Sequence, residues 1–574
     1  MPIHNADIAA RFEEIADLLE IQGENPFRIR AYRNGARTLS DLTLDMAELL
    51  ERDKGIPHLP GIGKDLAAKI KEIVDTGTCA KLEELRKAVP AGVPALLKVP
   101  GLGPKRVKLL MAALDIRSPA QLQRAAREGL VREIPGFGEL TERHIREALE
   151  AQLGQVKRLT LAHASQYAEA LVDYLRQLPE VKQAVAAGSY RRAKETVGDL
   201  DLLVTTSDPQ GVMSAFVAYD EVQKVLSQGE TRATVILASG LQVDLRVVPE
   251  ESFGAALQYF TGSKAHNIAI RRLGQRRGLK INEYGVFKRT RRVAGDSEQS
   301  VYAAVGLPYV EPELREDRGE IEAAREGHLP HLITLEDLKG DLHSHSKATD
   351  GRNTLMEMAE TAREQGLTYL AVTEHSRRLA VTKGFDPARL ARQGEEIDRL
   401  NTELKDITLL KGIEVDILED GRLDLPDSTL SSLDLVVGAV HSHLALSRKK
   451  QTERLLRAMD HPYFSILAHP TGRLIGEREP CEIDMERVIR AARERGCFLE
   501  LNAHPERLDL NDIYCKMAKS ECVLVSIASD AHSVIDFANL RFAVGQARRG
   551  WLEAADVLNT RNLAQLRLLL RATR

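Results

Sequence analysis

The sequence predicts a multidomain protein of the α+β and α/β classes. At 574 residues the chain is too long for one hydrophobic core, since a prior of roughly 150 residues per domain suggests about four units. Gly-containing hairpins between helix-like stretches recur in the first 155 residues. After residue 338, apolar strand-like runs alternate with amphipathic helical stretches, which is typical of a parallel α/β fold.

Changes in this pattern divide the chain into segments. Two helical segments come first, and the second repeats the theme of the first. A central segment opens with a helix and continues as strands, and a polar stretch around Pro330 without periodicity follows it as a predicted linker. The ranges are 1–85 and 86–155 for the helical segments, 156–318 for the central segment, 319–338 for the linker and 339–574 for the α/β domain.

Composition excludes several classes of protein. No apolar run approaches the roughly 20 residues of a membrane span, and the acidic start of the chain is unlike a signal peptide, so we expect a cytoplasmic protein. The five cysteines show no CxxC spacing, which argues against a disulfide framework and a cysteine-based zinc finger. The net charge of −4 gives no global sign of nucleic-acid binding, but residues 264–292 hold ten Lys or Arg against one acid.

A five-residue hairpin pattern occurs three times, as LPGIG at 59–63, VPGLG at 99–103 and IPGFG at 134–138. It resembles helix-hairpin-helix motifs, in which glycine lets backbone N–H groups approach a DNA phosphate at the start of a helix. The third copy is followed by acids and is open to a purely structural interpretation. The predicted DNA contacts are Gly61, Gly63, Gly101 and Gly103.

Three carboxylates in the central segment predict a metal site. Asp199 and Asp201 lie two residues apart on a strand-like run and therefore face the same side, and a second strand could bring Asp244 beside them. Because the three charges repel one another, we expect two Mg²⁺ or Mn²⁺ ions about 3.5–4 Å apart, which suits phosphoryl transfer. Ser189, Arg192 and the Gly188 turn could hold triphosphate oxygens.

The run from Gly188-Ser189 through Arg191-Arg192 to Asp199-x-Asp201, with the later strand aspartate, resembles the nucleotidyltransferase superfamily and within it the family X DNA polymerases. The segment YFTGSKAHN at 259–267 resembles that family's thumb. The resemblance implies a palm at 156–255 and a thumb at 256–318. It implies that Asp199 and Asp201 bind both metals and that Asp244 binds the catalytic one.

The same resemblance implies roles in the thumb. Tyr259, Phe260 and Gly262 would line the sugar pocket, Asn267 would touch the incoming base, and Arg271 would contact the template. Lys264 stands where better-known members have an acid, so it could hold the nucleotide through its phosphates. The alternative is a nucleotidyltransferase that uses no template.

The first segment is similar to the small N-terminal domain of family X, whose Schiff-base lysine corresponds to Lys69. A Schiff-base amine must be neutral, which needs desolvation or neighbouring cations. Asp65 stands where the family usually has a basic phosphate contact, so a backbone phosphate contact or a solvated Lys69 is the competing interpretation.

In the last segment seven strand-like runs end in polar groups, and parallel α/β barrels place their chemistry at such strand ends. A distorted, TIM-like barrel with seven strands is predicted. Mixed His and carboxylate ligands suit two or three Zn²⁺, Mn²⁺ or Fe²⁺ ions, with Glu414 as a bridge. The set resembles the PHP (polymerase and histidinol phosphatase) family. The predicted ligands are His343, His345, Asp350, His375, Glu414, His441, His469, Asp530 and His532. Further residues that could support these ligands from behind or bind phosphate are His443, Arg473, Glu500, Asn502, His504 and Arg507.

Together these features predict a monomeric DNA polymerase that uses dNTPs to fill short gaps in gapped or nicked duplex DNA during base-excision repair. Its PHP domain would act on 3′ ends as a 3′→5′ exonuclease, 3′-phosphatase or abasic-site endonuclease. One alternative is a non-templated nucleotidyltransferase joined to a small-molecule phosphatase. Another is a DNA-binding scaffold without nuclease activity.

Overall fold

The computed structural model describes residues 5–42, 46, 50, 59, 61–90, 92–97, 99, 102–139, 141–143, 145–146, 158–378 and 382–572. Two compact units form. The first comprises Met1–Arg158, Ala218–Lys224 and Ile236–Leu241, and the second comprises Leu159–Val217, Val225–Val235 and Gln242–Arg574. Within these described ranges, no helix has both the length and the apolar character that a membrane crossing requires.

The first unit is helical. Asn25 caps its second helix by accepting a hydrogen bond from the Phe27 N–H, and a proline occupies the first helical turn, as helix starts favour. Phe12 and Tyr32 pack edge to face between the first two helices, with ring centroids 5.5 Å apart. The helices are α1 Asn5–Gln22, α2 Pro26–Asp41, α3 Lys64–Thr76, α4 Ala80–Lys87, α5 Val93–Leu97, α6 Pro104–Leu114 and α7 Pro119–Arg127.

The second unit begins with the predicted palm, which is built on a five-stranded sheet of order β2-β4-β7-β6-β5. The long strand β4 (Asp199–Thr206) pairs antiparallel with β2 and parallel with β7. Its hydrophobic stretch at residues 202–204 is buried. The elements are β1 Leu159–Thr160, α8 Leu161–Arg176, β2 Val181–Ala186, α9 Gly188–Arg191, β3 Thr196–Val197, β4 Asp199–Thr206, α10 Pro209–Val217, β5 Val222–Gln228, β6 Arg232–Leu237 and β7 Gln242–Val247.

The predicted thumb packs two helices and a third, shorter one against a three-stranded antiparallel sheet of order β10-β9-β8. A buried ion pair crosses it, with Arg315 Nη1 2.6 Å from Glu298 Oε1. The elements are α11 Phe253–Thr261, α12 Lys264–Arg276, β8 Lys280–Asn282, β9 Gly285–Lys288, β10 Arg291–Ala294 and α13 Glu298–Ala304.

Residues 319–338, expected as a linker, carry the short helix α14 Glu320–Glu326. Ile321, Ala324 and Leu332 join the hydrophobic core of the thumb. The Glu320 carboxylate is fully buried and lies 2.7 Å from Nδ1 of His266. Polar composition concealed this packing because the Glu320 carboxylate pairs with His266, which is distant in sequence, and also accepts hydrogen bonds from the backbone N–H groups of Asp317 and Arg318.

The C-terminal domain has two parallel sheets, of order β11-β12-β13 and β14-β15-β16-β17-β18. Parallel bridges also join Ser344 to Ala531 and His375 to Glu414. The seven-stranded barrel stays a prediction, which these bridges support. The elements are β11 Gly340–Asp341, α15 Leu355–Glu364, β12 Tyr369–Val372, α16 Pro387–Glu403, β13 Thr408–Lys411, β14 Glu414–Asp416, α17 Asp427–Leu430, β15 Val437–Ala439, α18 Arg448–Met459, β16 Ile466–Leu467, α19 Met485–Arg495, β17 Phe498–Asn502, α20 Asp512–Ser520, β18 Val525–Ala528, α21 Leu540–Arg549 and α22 Leu563–Ala572.

Candidate functional site

The parallel pair β4 and β7 brings the three predicted carboxylates together. Asp201 lies directly opposite Asp244, and Asp199 lies opposite Gln242. Since side chains two residues apart on a strand share a face, all three carboxylates point to the same side of the sheet. Asp199 is exposed, whereas Asp244 is only 6% exposed.

The turn before β4 is shaped around Asp201. Gly188 has a φ of +64°, and a Cβ at this position would lie 2.5 Å from Asp201 Oδ2. The Ala187 N–H donates to the Asp201 carbonyl oxygen over 2.7 Å. Only glycine fits this close approach, so the turn is fixed against the carboxylate. Ser189 follows in the same turn and is half-buried.

Two of the carboxylates differ in their electrostatic environment. Burial, reinforced by Asp199 and Asp244, raises the pKa of Asp201 to about 7. Burial also acts on Asp244, but hydrogen bonds from Thr234 over 2.6 Å and Gln242 over 2.8 Å, with Arg232 nearby, lower its pKa overall. A repulsive, partly buried set of oxygen ligands fits divalent cations such as Mg²⁺ or Mn²⁺.

The turn that begins at Gly188 and precedes β4 is called the palm turn here, and it contacts the predicted sugar pocket. Arg192 donates to the Thr261 carbonyl oxygen and, from Nε over 3.0 Å, to Glu316. A Cβ on Gly262 would lie 3.1 Å from Arg192 Nη1. The guanidinium of Arg246, on β7, stacks over the Phe260 ring at 4.3 Å. The palm turn and the YFTGS segment therefore lie in contact. The sequence pattern did not indicate that Arg246 or Glu316 would lie here.

Three further predicted residues lie on α12, and two of them contact Tyr259. Asn267 Nδ2 donates to the Tyr259 carbonyl oxygen over 2.6 Å. Arg271 lies 4.8 Å above the Tyr259 ring. Lys264 is exposed at the start of α12. These contacts order the first turn of α12 beside Tyr259.

Lys69 is paired in the first unit, with Nζ 2.5 Å from Asp65 Oδ1. Partial burial favours the neutral amine, but Asp65 and the Tyr32 hydroxyl outweigh it and raise the pKa of Lys69. That shift opposes Schiff-base chemistry, which needs the neutral amine.

All three hairpins close with the same turn. The N–H groups of Ile62, Leu102 and Phe137 donate to the carbonyl oxygens of Leu59, Val99 and Ile134. Gly63 and Gly103 are the N-caps of α3 and α6, and Gly61 has a φ of +67°. Gly101 lies outside the described residues.

In the third hairpin Glu142 is buried, and its carboxylate accepts hydrogen bonds from the backbone N–H and Nε of Arg132. This internal pairing favours the structural interpretation of the third copy.

The nine predicted ligands of the C-terminal domain converge around Glu414. Its carboxylate is buried, with Oε2 2.6 Å from His375 Nδ1 and Oε1 3.0 Å from His469 Nε2. His441 Nε2 lies 3.2 Å from Oε1, and His343 and His345 lie slightly farther away. One carboxylate among five imidazoles fits the bridging role predicted for Glu414.

Ligand atoms in this cluster form three groups in which all atoms lie within 4.8 Å of one another. Nε2 of His343 and both ring nitrogens of His345 are buried without hydrogen-bond partners. Burial, with His532 and His375 next to it, lowers the pKa of His345 to about 3, so its imidazole is neutral, the form that ligates metal. The donor set therefore fits metal ions. The groups are His345, Asp350, His375 and His532; His343, His345 and Asp530; and His375, Glu414 and His441.

Neighbouring groups orient these ligands. Glu500 accepts from His343 Nδ1 over 2.6 Å, and Asn502 donates to Asp530 over 3.0 Å. Asp416 accepts from His441 Nδ1 over 2.9 Å. Carboxylates in this position fix the ring and its tautomer. Asp416 was not among the residues predicted from the sequence. Its position two residues after Glu414 on one strand could have indicated that it belongs to the same cluster.

Of the remaining candidates, His443 is about half exposed, 3.7 Å from Glu419. His504 is half-buried, and its Nδ1 accepts a hydrogen bond from the Glu506 backbone N–H over 3.3 Å. Arg473 turns toward the palm, with Nη2 2.8 Å from Glu195 Oε2, and donates to the Arg507 carbonyl oxygen.

Comparisons with known proteins decide the family. The chain is 38% identical over 573 residues to the DNA polymerase/3′-5′ exonuclease PolX of Bacillus subtilis, covering 99% of this chain and 100% of that protein. The chain belongs to the family X DNA polymerases that carry a PHP domain. It is a DNA polymerase and 3′→5′ exonuclease homologue, and such polymerases act on DNA with dNTPs.

Family models match each part of this family X chain. They are the helix-hairpin-helix domain at 3–79, the SAM-like helix-hairpin-helix tandem at 93–151, the DNA polymerase beta palm at 158–258, the DNA polymerase beta thumb at 256–316 and the PHP domain at 341–504.

More distant relatives each resemble part of the chain. Rat DNA polymerase lambda is 26% identical in an alignment over 348 residues, with 54% of this chain and 56% of that protein covered. A probable phosphatase of Thermoanaerobacter sp. is 28% identical in an alignment over 231 residues, with 38% of this chain and 89% of that protein covered.

Replacing Asp201 with asparagine should stabilise the metal-free protein at pH 8 while abolishing primer extension. Because the folded-state pKa of Asp201 is raised to about 7, the fold is more stable with the protonated carboxyl group than with the carboxylate. This stability is lost as the pH rises through that value. Calorimetry in EDTA should show a Tm about 1–3 °C higher at pH 8 and a smaller gain at pH 5. The exposed Asp173→Asn control should change neither property, and a lower Tm for Asp201→Asn would contradict the account.

Replacing Asp65 with asparagine should increase Schiff-base formation by Lys69. The substitution removes the carboxylate that raises the pKa of Lys69, so a larger fraction of the amine is neutral. Borohydride trapping on incised abasic DNA should rise by about fivefold. Asp65→Asn combined with Lys69→Ala is the control, and equal trapping with and without Lys69 would remove this lysine from the chemistry.

Proposed function

We propose that this protein fills short gaps during base-excision repair and that its PHP domain prepares the 3′ ends it extends. The observation that carries the proposal is a three-carboxylate site and a buried His, Asp and Glu cluster on one chain. A polymerase extends only a 3′-hydroxyl, and a phosphoesterase can supply one. We further propose that the protein works as a cytoplasmic monomer on gapped or nicked duplex DNA.

At the polymerase site, Asp199, Asp201 and Asp244 would hold two Mg²⁺ or Mn²⁺ ions, which neutralise charge on the reacting phosphate and lower the pKa of the primer hydroxyl. The turn from Gly188 with Ser189 would present backbone N–H and hydroxyl donors to the triphosphate.

Other residues would orient the nucleotide and the DNA. Arg192 would neutralise the leaving pyrophosphate. Tyr259, Phe260 and Gly262 would form the wall against the sugar, and Asn267 would reach the base. Lys264 is exposed and free to meet a phosphate. Arg271 would contact the template, and Gly61, Gly63, Gly101 and Gly103 would bind the DNA backbone.

At the PHP site, the nine ligands would hold two or three Zn²⁺, Mn²⁺ or Fe²⁺ ions, with Glu414 bridging them, to activate water and stabilise charge on the phosphate. Glu500 and Asp416 would hold His343 and His441 in the ligating tautomer. Similarity to the probable phosphatase of Thermoanaerobacter favours 3′-phosphate removal as a second activity of this site.

Glu414→Gln should separate the two activities. The amide removes the charge shared by five histidines, so we expect fewer metal ions per chain by elemental analysis and a loss of 3′-end degradation of about 100-fold. Extension of a clean primer should stay within about twofold of the wild type. The exposed Glu419→Gln is the matched control. Undiminished degradation would remove Glu414 from the mechanism.

A gapped duplex with a defined 3′ end tests the proposed function directly. We expect the protein to extend a 3′-hydroxyl end even when the PHP site is inactive. We expect it to extend a 3′-phosphate or abasic end only when Glu414 is intact. Each substrate is assayed with Mg²⁺ and with Mn²⁺, with Asp201→Asn and Glu414→Gln as blocks of the two sites. Incorporation that ignored the template base would instead favour a non-templated nucleotidyltransferase joined to a small-molecule phosphatase.

A further inference from the structure

The palm turn that follows Gly188 lies directly against helix α21 of the PHP domain. Gln546 Nε2 donates to the Ala193 carbonyl oxygen over 2.9 Å, and Arg549 Nη1 donates to the Arg192 carbonyl oxygen over 2.8 Å. A Cβ on Gly545 would lie 3.0 Å from the Ala193 Cβ. The backbone of the turn is therefore held from the PHP side.

Ala193 adopts a left-handed backbone conformation, with a φ of +50°. Residues with a Cβ rarely do so, and such a conformation persists where surrounding contacts fix it. The hydrogen bonds from Gln546 and Arg549 supply those contacts.

Arg549 also reaches the side chain of Arg192 through a shared acid. Glu316 Oε1 accepts from Arg192 Nε over 3.0 Å and from Arg549 Nη1 over 2.9 Å. Arg549 Nη2 donates to Asp512 over 2.7 Å, and the Arg549 side chain is 2% exposed. A planar guanidinium fixed at both ends is a rigid support.

A third anchor begins at a PHP metal-ligand loop. Arg473 follows His469 by four residues in the chain. Its Nη2 lies 2.8 Å from Glu195, in the palm turn, and its Nε donates to the Arg507 carbonyl oxygen. The turn is thus bound to the PHP domain at Arg192, Ala193 and Glu195.

We propose that Arg549 is a positioning residue of the polymerase reaction, which fixes the backbone and side chain of Arg192 for the triphosphate of the incoming nucleotide. The PHP domain then completes the nucleotide site of the polymerase in addition to its own chemistry. This inference rests on the proposed role of Arg192 and the Gly188 turn.

The test is steady-state gap filling by the full chain carrying Arg549→Gln. The KM for dNTP should rise by about tenfold and kcat should stay within about threefold, because the triphosphate contact is misplaced while the three aspartates are untouched. Inhibition by inorganic pyrophosphate, which probes the phosphate contacts without a base, should weaken by a similar factor. Gln546→Ala, which removes one anchor, should raise the KM by about threefold.

Arg548→Gln is the matched control. Arg548 is the neighbouring arginine of α21 and pairs with Glu313 over 2.7 Å, outside the palm turn. Its KM for dNTP should equal that of the wild type, and 3′→5′ exonuclease activity should be normal in both variants, which shows that the PHP domain is folded. An equal rise in KM for Arg548→Gln would overturn the inference, since it would indicate general domain docking.

Arg192→Gln distinguishes failure of the inference from failure of the proposed function. If Arg192→Gln raises the KM and neither Arg549→Gln nor Gln546→Ala does, positioning by α21 is wrong and the role of Arg192 stands. If Arg192→Gln leaves the KM unchanged, the assignment of Arg192 to the triphosphate fails, and the inference fails with it.

Discussion

Charged and polar groups held in a protein interior with too few partners are the constraint on which both centres depend. In the palm, Asp201 is crowded by Asp199 and Asp244, and its pKa rises to about 7. In the PHP domain, Glu414 is buried among histidine rings, and Nε2 of His343 and both ring nitrogens of His345 lack hydrogen-bond partners. Neither cluster is explained by the stability of the fold alone. Each becomes favourable when divalent cations replace the missing partners, which is why metal chemistry explains the geometry.

The rest of the structure holds these charges in place. Asp201 cannot retreat from its neighbours because its strand lies between β2 and β7 and the Gly188 turn closes over its carboxylate. Asp244 is held by Thr234 and Gln242. In the PHP domain, Glu500 and Asp416 fix two histidine rings from behind. Preorganisation of this kind lets ligands meet an ion without reorganising.

Local periodicity predicted much of this arrangement. The two-residue spacing of Asp199 and Asp201 predicted their common face, and the ends of strand-like runs predicted the convergence of the nine candidate PHP ligands, because both signals depend on neighbours in sequence. Contacts between distant segments leave no such signal. Residues 319–338 looked like a linker since the partner of Glu320 is His266, more than fifty residues earlier. Arg473 looked like a phosphate ligand because its partner, Glu195, lies in another domain.

These long-range contacts give the fusion of polymerase and PHP domain a mechanical reason in addition to the chemical one. The chemical reason requires intact metal ligands, because only an active phosphoesterase can produce a 3′-hydroxyl. The mechanical reason requires only α21 and its contacts with the turn after Gly188. A chain that had lost His343 or Glu414 would still use Arg549 to hold Arg192, so loss of nuclease activity would leave the PHP domain with its role in nucleotide binding. Persistence of the domain in such a chain would therefore be no evidence of nuclease function.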